Sequence, residues 1–401
     1  QRALGLERVG ITDDFFRIGG DSILSILLSS KMRRAELNCS VKDIFEQRTI
    51  SNFSKLLEKQ RLKTEIQTEQ GILEGPFDLL PIQNWFFDKI KNKELSNPNH
   101  WNQSFIVKIP ELDIKRLQAV IPTLVEQHDI LRVKYKRDTQ ERYAQAYCGI
   151  DAFRSKFNNH ELKILDISNI KDDSRHEIYT EWQSGFNLEE GPLWQIGYIH
   201  GYQDNTARIY FALHHLIVDA VSWRILIEDI RSLYNKERLE EKTTSYRQWV
   251  KIVNEYSVKN KQEQKYWEVV QQDQQDYTQY VQPDFTESYS QIELDKSITK
   301  ELLAQANGAY HTEINDLLLT ALGYALKNWN NNRVNHITLE GHGREHIRED
   351  IDLSKTVGWF TTAYPVKLEI QETLNQSIKY IKESLRCIPN KGLGYGAFRY
   401  S

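Results

Sequence analysis

The sequence predicts a small all-α bundle followed by a larger α/β (α+β) unit. Three observations carry this reading. Residues 1–59 show only helical periodicities, residues 60–75 have the composition of a linker, and from Pro76 onward strand and helix patterns alternate. With 401 residues, the chain is long enough for two or three compact units.

In the bundle, Asp21-Ser22 caps a run from Ile23 to Arg34, and Ile23, Leu24, Leu27 and Leu28 share one helical face. Val41 to Phe45 and Ile50 to Leu57 give two shorter helical patterns. Lys59 to Gly75 is rich in Glu, Gln, Lys and Thr, with Gly71, Gly75 and Pro76 near its end. That composition predicts a solvated, mobile tether. Beyond it, Phe105 to Ile109 reads as a strand, and Asp113 to Gln127 as a helix that Pro122 should kink or divide. Ala207, Ile209, Phe211 and Leu213 alternate with Arg208, Tyr210 and Ala212, which predicts a strand ending just before His214. Ser222 to Tyr234 is amphipathic, with Trp223, Leu226, Ile227, Ile230 and Leu233 on one face. Glu313 to Trp329 is a strongly apolar helix, Ile337 and Leu339 form a short strand ahead of Glu340, and Thr373 to Arg386 is a further helix.

Composition narrows the function classes. Hydrophobic residues are 40% of the chain and charged residues 27%, a globular balance. The formal net charge is −4, and no basic run interleaved with aromatics appears, so nucleic acid is not an expected partner. No apolar stretch approaches the ~20 residues that a membrane-spanning helix needs. Gln1 opens no signal-peptide pattern, so a cytoplasmic, monomeric piece of a longer polypeptide is expected. Cys39, Cys148 and Cys387 are far apart, with no metal-binding spacing, and are expected to be free thiols.

Three clusters could carry chemistry. In Gly19-Gly20-Asp21-Ser22-Ile23, a serine at a helix start lies where the helix dipole favours an anion. Such a hydroxyl suits a phosphate-linked arm, and equally an ordinary N-cap. In His214-His215-Leu216-Ile217-Val218-Asp219, two histidines follow a strand and can move protons near neutral pH. Asp219 then orients a ring or caps the helix that includes Ser222 and Trp223. In Glu340-Gly341-His342-Gly343-Arg344-Glu345, a carboxylate at a strand end precedes two turn glycines. Apolar walls around Glu340 would raise its pKa toward neutrality.

Together these clusters carry a resemblance. The stretch around Ser22 resembles the phosphopantetheine attachment site of peptidyl carrier proteins, in the GGDSI form of carriers that precede epimerization domains. HHxxxD followed by SW resembles the acyl-thioester enzymes with a chloramphenicol-acetyltransferase-like fold: condensation and epimerization domains of nonribosomal peptide synthetases. Further stretches resemble successive epimerization-domain motifs in the family's order. They are Pro81 to Phe86, His100 to Ser104, Asn315 to Leu322, Thr356 to Thr361 with Pro365, and Pro389 to Gly396. Where the family usually carries glycine after the motif's Asp, this chain has Ala220.

The resemblance implies a carrier over 1–59 (its first helix incomplete), a linker over 60–75, and a two-lobed epimerization domain over 76–401 whose final motif is missing. It implies conversion of a carrier-tethered L-aminoacyl or peptidyl thioester to its D-epimer. His215 and Glu340 would be the opposed proton carriers, Asp219 and Arg344 a structural ion pair, and His214 and Trp223 loop packing. The cofactor would be 4'-phosphopantetheine on Ser22, with no metal. The partners would be an upstream adenylation domain, a downstream condensation domain and a phosphopantetheinyl transferase. The alternatives are a condensation domain or an inactive carrier-docking module.

Overall fold

In the computed structural model the described residues are 4–400, leaving out 21–23, 26, 27, 30, 33, 34, 36, 38, 40–42, 45, 46, 58–65, 140, 141, 158–161, 169, 171, 273 and 275–289. The chain divides into two compact units. The first holds Gln1–Glu255, His346–Thr361 and Tyr400–Ser401, and the second Tyr256–Glu345 and Thr362–Arg399.

In the N-terminal part of the first unit, Phe15, Cys39, Ile44 and Phe53 form a small apolar core joined by Leu24, Leu28 and Met32. Helix α1 (Ile50–Leu57) supplies Phe53. Leu24, Leu28, Asp43 and Ile44 are helical as expected, while Ser22 and most of the Val41–Phe45 pattern lie outside the described residues.

The tether expectation needs correcting for residues 67–75. Gln67 N–H donates to the Asp350 carbonyl at 3.0 Å, and its own carbonyl accepts from Thr244 at 3.0 Å. Glu69 is held by Arg247 at 2.8 Å and by Ser245 at 2.5 Å. Leu73 is buried, with its N–H on Asp129 and its carbonyl on Arg132. Polar composition misleads here because the segment's own charged and amide groups find partners on the folded unit.

The unit's main sheet runs β2-β7-β6-β5, from strands Asn102–Pro110, Thr206–His214, Trp194–His200 and Lys163–Asp166. A second sheet runs β1-β4-β3, from Gly75–Phe77, Tyr143–Tyr147 and Val133–Arg137. β2 and β7 are antiparallel, pairing Asn102 with His214 and Gln103 with Leu213. β7 is buried on both faces from Ile209 onward, where its pattern predicts one apolar face and one more polar one. Tyr210, on the second face, stacks on Tyr179 at 5.2 Å under the Asp172–Ser184 helix. Phe211, on the first, lies under Trp223. Helix α2 (Ile114–Gln127) is continuous through Pro122. Pro122 is on its exposed face, while Leu117, Val120, Ile121, Leu124 and Val125 anchor the other, so the missing N–H costs one solvent-side bond without dividing the helix.

In the second unit, β8 (Val334–Gly341) and β9 (Thr362–Glu369) form an antiparallel pair. Helices α3 (Ile314–Asn330) and α4 (Leu374–Arg386) flank this pair, and Thr373 caps α4 in a capping box with Gln376. Trp267, Leu319, Tyr364, Val366, Leu368 and Ile381 make its core. β8 runs two residues further than predicted, so Glu340 lies within the strand, paired with Ala363. Among the described residues, no helix is long and apolar enough to cross a membrane.

Candidate active site

β7 delivers the two histidines with their backbones pinned. His214 N–H donates to the Leu193 carbonyl and His215 N–H to the Trp101 carbonyl, each at 2.8 Å. The two rings differ in every other respect. His214 is fully buried, with Nε2 at 2.8 Å from the Pro98 carbonyl and Nδ1 accepting from Leu216 N–H. Those partners require the neutral Nε2–H tautomer. Burial pushes its pKa down to about 4, opposed by the Pro98 carbonyl and reinforced by His215. His214 is thus a buried, neutral ring held at both nitrogens.

His215 is half-buried and opens a single 3-10 turn, His215–Ile217. Its ring lies 4.7 Å from that of Trp359, and its Nε2 lies 2.9 Å from the side-chain nitrogen of Gln103. Its Nδ1 is buried and has no hydrogen-bond partner among the described residues.

The loop beyond His215 is fixed from two sides. Gln83, in the Pro81–Lys91 helix, is fully buried; its amide donates to Tyr135 and Gln145 and reaches the Leu216 carbonyl at 3.4 Å, which Tyr135 also meets at 3.1 Å. On the other side, Asp219 caps the Ala220–Tyr234 helix by accepting Ser222 N–H at 2.7 Å, and its second oxygen lies 3.4 Å from Phe360 N. Ser222 Oγ donates to the Gly358 carbonyl and accepts Gly358 N–H, both at 3.0 Å. A Cβ on Gly358 would stand 2.4 Å from the Tyr246 ring, so glycine is what lets this segment approach and bring Trp359 to His215.

In the second unit, Glu340, around which apolar walls were expected, is exposed on β8. The carboxyl with a raised pKa in this motif is Glu345, pushed up to about 7 by burial against the opposing pull of Lys391. Its Oε1 lies 3.3 Å from His342 Nε2, while His342 Nδ1 accepts Arg344 N–H at 3.0 Å. Arg344 is buried, at 4% exposure.

The glycines ahead of Ser22 fit an attachment loop. Gly19 has φ +105°, and a Cβ on Gly20 would fall 2.4 Å from the Phe15 ring. The loop thus turns tightly before the helical residues from Leu24, and Ser22 itself lies outside the described residues.

With this geometry in view, comparison with known proteins decides the family. Residues 74–401 match the condensation domain, and residues 1–57 match the phosphopantetheine attachment site. The chain belongs to the condensation-domain family. It is a carrier and condensation-superfamily segment of a nonribosomal peptide synthetase and bears a covalent 4'-phosphopantetheine. It is 39% identical over 97% of its length to N-(5-amino-5-carboxypentanoyl)-L-cysteinyl-D-valine synthase of Amycolatopsis lactamdurans, and 37% identical over 100% to gramicidin S synthase 1 of Brevibacillus brevis. It spans 10% of the first of these relatives and 37% of the second. Among solved structures, it is similar to the epimerization domain from the third module of tyrocidine synthetase B. That match has a TM-score of 0.70 and 33% identity, over 84% of this chain and 76% of that one. It shares the fold of the first condensation domain of the calcium-dependent antibiotic synthetase, with a TM-score of 0.61 and 14% identity, over 78% of this chain and 73% of that one.

Sequence reasoning selected both histidines and Asp219 but gave no role to Gln83, Gln103 or Trp359. All three sit inside stretches that carry the family resemblance. What they do depends on strand register and on contacts across more than a hundred residues, which no spacing reveals.

Proposed function

We propose that this condensation-family chain epimerizes the α-carbon of an aminoacyl or peptidyl thioester held on its own carrier segment, giving the D-epimer. The observation that carries the reading is its 33% identity to a solved epimerization domain, against 14% to the condensation domain of the same fold. The curated synthases that name D-valine in their product add support.

Ser22 would hold the phosphopantetheine arm, which would supply the substrate as a thioester, whose α-proton is more acidic than that of an amide. A base takes this proton, the C–H electron pair passes into an enolate, and a proton returns to the opposite face of the same carbon. No electron or atom is gained overall. Two faces call for two groups, His215 and Glu340 in this reading. In this reading Asp219 and Arg344 would be an ion pair that steadies the histidine loop, a pairing taken from the family resemblance, and His214 remains neutral packing. An adenylation domain upstream and a condensation domain downstream would supply and consume the thioester, and a phosphopantetheinyl transferase would install the arm. The family's own description favours peptide-bond formation as the second reading, which would require a second carrier.

The test is to load L-valyl-pantetheine onto Ser22 and follow chirality. The parent should accumulate D-valyl thioester, and His215→Ala should lose about 10²–10⁴-fold in rate. A parent that leaves the L-thioester intact, but forms a dipeptide when a second loaded carrier is added, would establish condensation instead.

A further inference from the structure

We infer that Gln103, held in one orientation by Trp223, sets the tautomer of His215 so that Nε2 is the nitrogen carrying the lone pair. The argument starts from donors and acceptors. The Trp223 indole N–H can only donate, and it meets the Gln103 side-chain oxygen at 3.2 Å. The amide of Gln103 is therefore not free to turn over, because the reverse orientation would set NH₂ against the indole N–H. Its NH₂ must face His215, whose Nε2 lies 2.9 Å away. An NH₂ group requires an acceptor there, so Nε2 is unprotonated. The ring proton then sits on Nδ1, the buried atom without a hydrogen-bond partner among the described residues.

The fold holds each part of this chain in place. Gln103 pairs with Leu213 in the β2–β7 register, so the chain leaving β7 brings His215, two residues on, beside it. Trp223 stands in the first turn of the Ala220–Tyr234 helix, whose Asp219 cap fixes that turn. Its ring packs edge-on against Phe105 at 4.3 Å, and Phe105 stacks on Phe211 at 4.8 Å. The opposite tautomer would place Nε2–H against the Gln103 NH₂ and leave the lone pair on the buried Nδ1.

The consequence for chemistry is that His215 rests as a neutral ring whose one lone pair, on Nε2, is engaged by the Gln103 amide, so that Nε2 takes a proton only as that hydrogen bond is released. Gln103 acts as a positioning residue and Trp223 as the group that orients it. This consequence rests on the proposed role of His215 as a proton carrier; the tautomer itself does not.

The decisive measurement is the ring ¹⁵N spectrum of the full chain labelled at histidine, with the His215 signals assigned by their loss in His215→Ala. The parent should show the Nδ1–H form at neutral pH. Gln103→Glu offers oxygens to both the indole N–H and the imidazole, and should switch His215 to the Nε2–H form. Trp223→Phe removes only the constraint on the amide and should yield a mixture of the two forms. Both variants should keep the parent's circular dichroism and accept the phosphopantetheine arm. With L-valyl-pantetheine on Ser22 in D₂O, Gln103→Glu should lose tenfold or more in α-deuterium uptake. An Nε2–H parent, or an unchanged tautomer in Gln103→Glu, overturns the inference whatever the activity. A switched tautomer with parental deuterium uptake would leave the tautomer assignment standing and overturn the role of His215.

Discussion

The histidine loop and the EGHGRE segment carry the two halves of the proposed chemistry, and they are held in different ways. Around His215 a set of side chains fixes the loop: Gln83 and Tyr135 on Leu216, Asp219 and Ser222 on the Gly358 segment, and Trp223 on Gln103, while His215 Nδ1 and Trp359 Nε1 have no hydrogen-bond partner among the described residues. Around Glu340 the carboxyl is exposed, and burial falls on Glu345 five residues later. A group whose task depends on which nitrogen holds a proton needs fixed neighbours. A carboxylate needs a suitable pKa, which burial raises and nearby positive charges or hydrogen-bond donors lower.

The largest effect expected from this contrast concerns which carboxyl matters. Glu340→Gln should reduce D-epimer formation by about 10²-fold or more, roughly 3 kcal/mol of barrier. Glu345→Gln should leave it within a few-fold. The reverse result would transfer the proton-carrying role to Glu345, whose raised pKa already suits it. Rates of α-deuterium uptake and of inversion, measured separately, distinguish the two.

His214 gives the next effect. Its folded pKa lies below the ordinary histidine value, so the unfolded ring binds a proton more readily. The stability it contributes is full above about pH 6.5 and falls away toward pH 4, by roughly 3 kcal/mol. Urea unfolding of the parent between those pH values should show this loss, and His214→Asn should flatten the slope. An equal slope in the variant would mean that other groups cause it.

Asp219→Ala removes a helix cap, which costs about 1–2 kcal/mol. A double-mutant cycle with Arg344→Met then sharpens the comparison between the two motifs. Coupling of 1 kcal/mol or more supports the ion pair proposed between them, and additivity rejects it. The smallest effect is at the segment before β1. Glu69→Ala frees Arg247 and Ser245 and should cost under about 1 kcal/mol in global stability, since such a half-exposed pair contributes little. It should nevertheless speed protease cleavage within residues 67–75. Cleavage as fast in the parent would mean that these contacts do not hold the segment.

Much of the fold was legible because burial leaves periodic traces. The amphipathic Ser222–Tyr234 run, the apolar run before Asn330 and the Thr373 cap each announce an element locally. The Glu340 environment was not legible, since a carboxyl's surroundings come from segments distant in the chain, and Glu345 rather than Glu340 received the burial. Whether Pro122 divides its helix was not legible, because that depends on which helix face meets solvent. The segment at 67–75 was misjudged because its polar side chains found folded partners more than a hundred residues away.

By itself, the sequence determined the order of the carrier and condensation-type segments, the candidate attachment serine, and the candidate histidines with their capping aspartate. These are local facts of residue type and spacing. Only the tertiary structure decided that the buried His214 is neutral with its proton on Nε2, that Gln103 stands beside His215, and that Trp223 fixes which face its amide presents. Hydrogen-bond donors and acceptors acquire roles only when strand register and helix packing bring them within about 3 Å of one another, and that distance is not written in the chain's order.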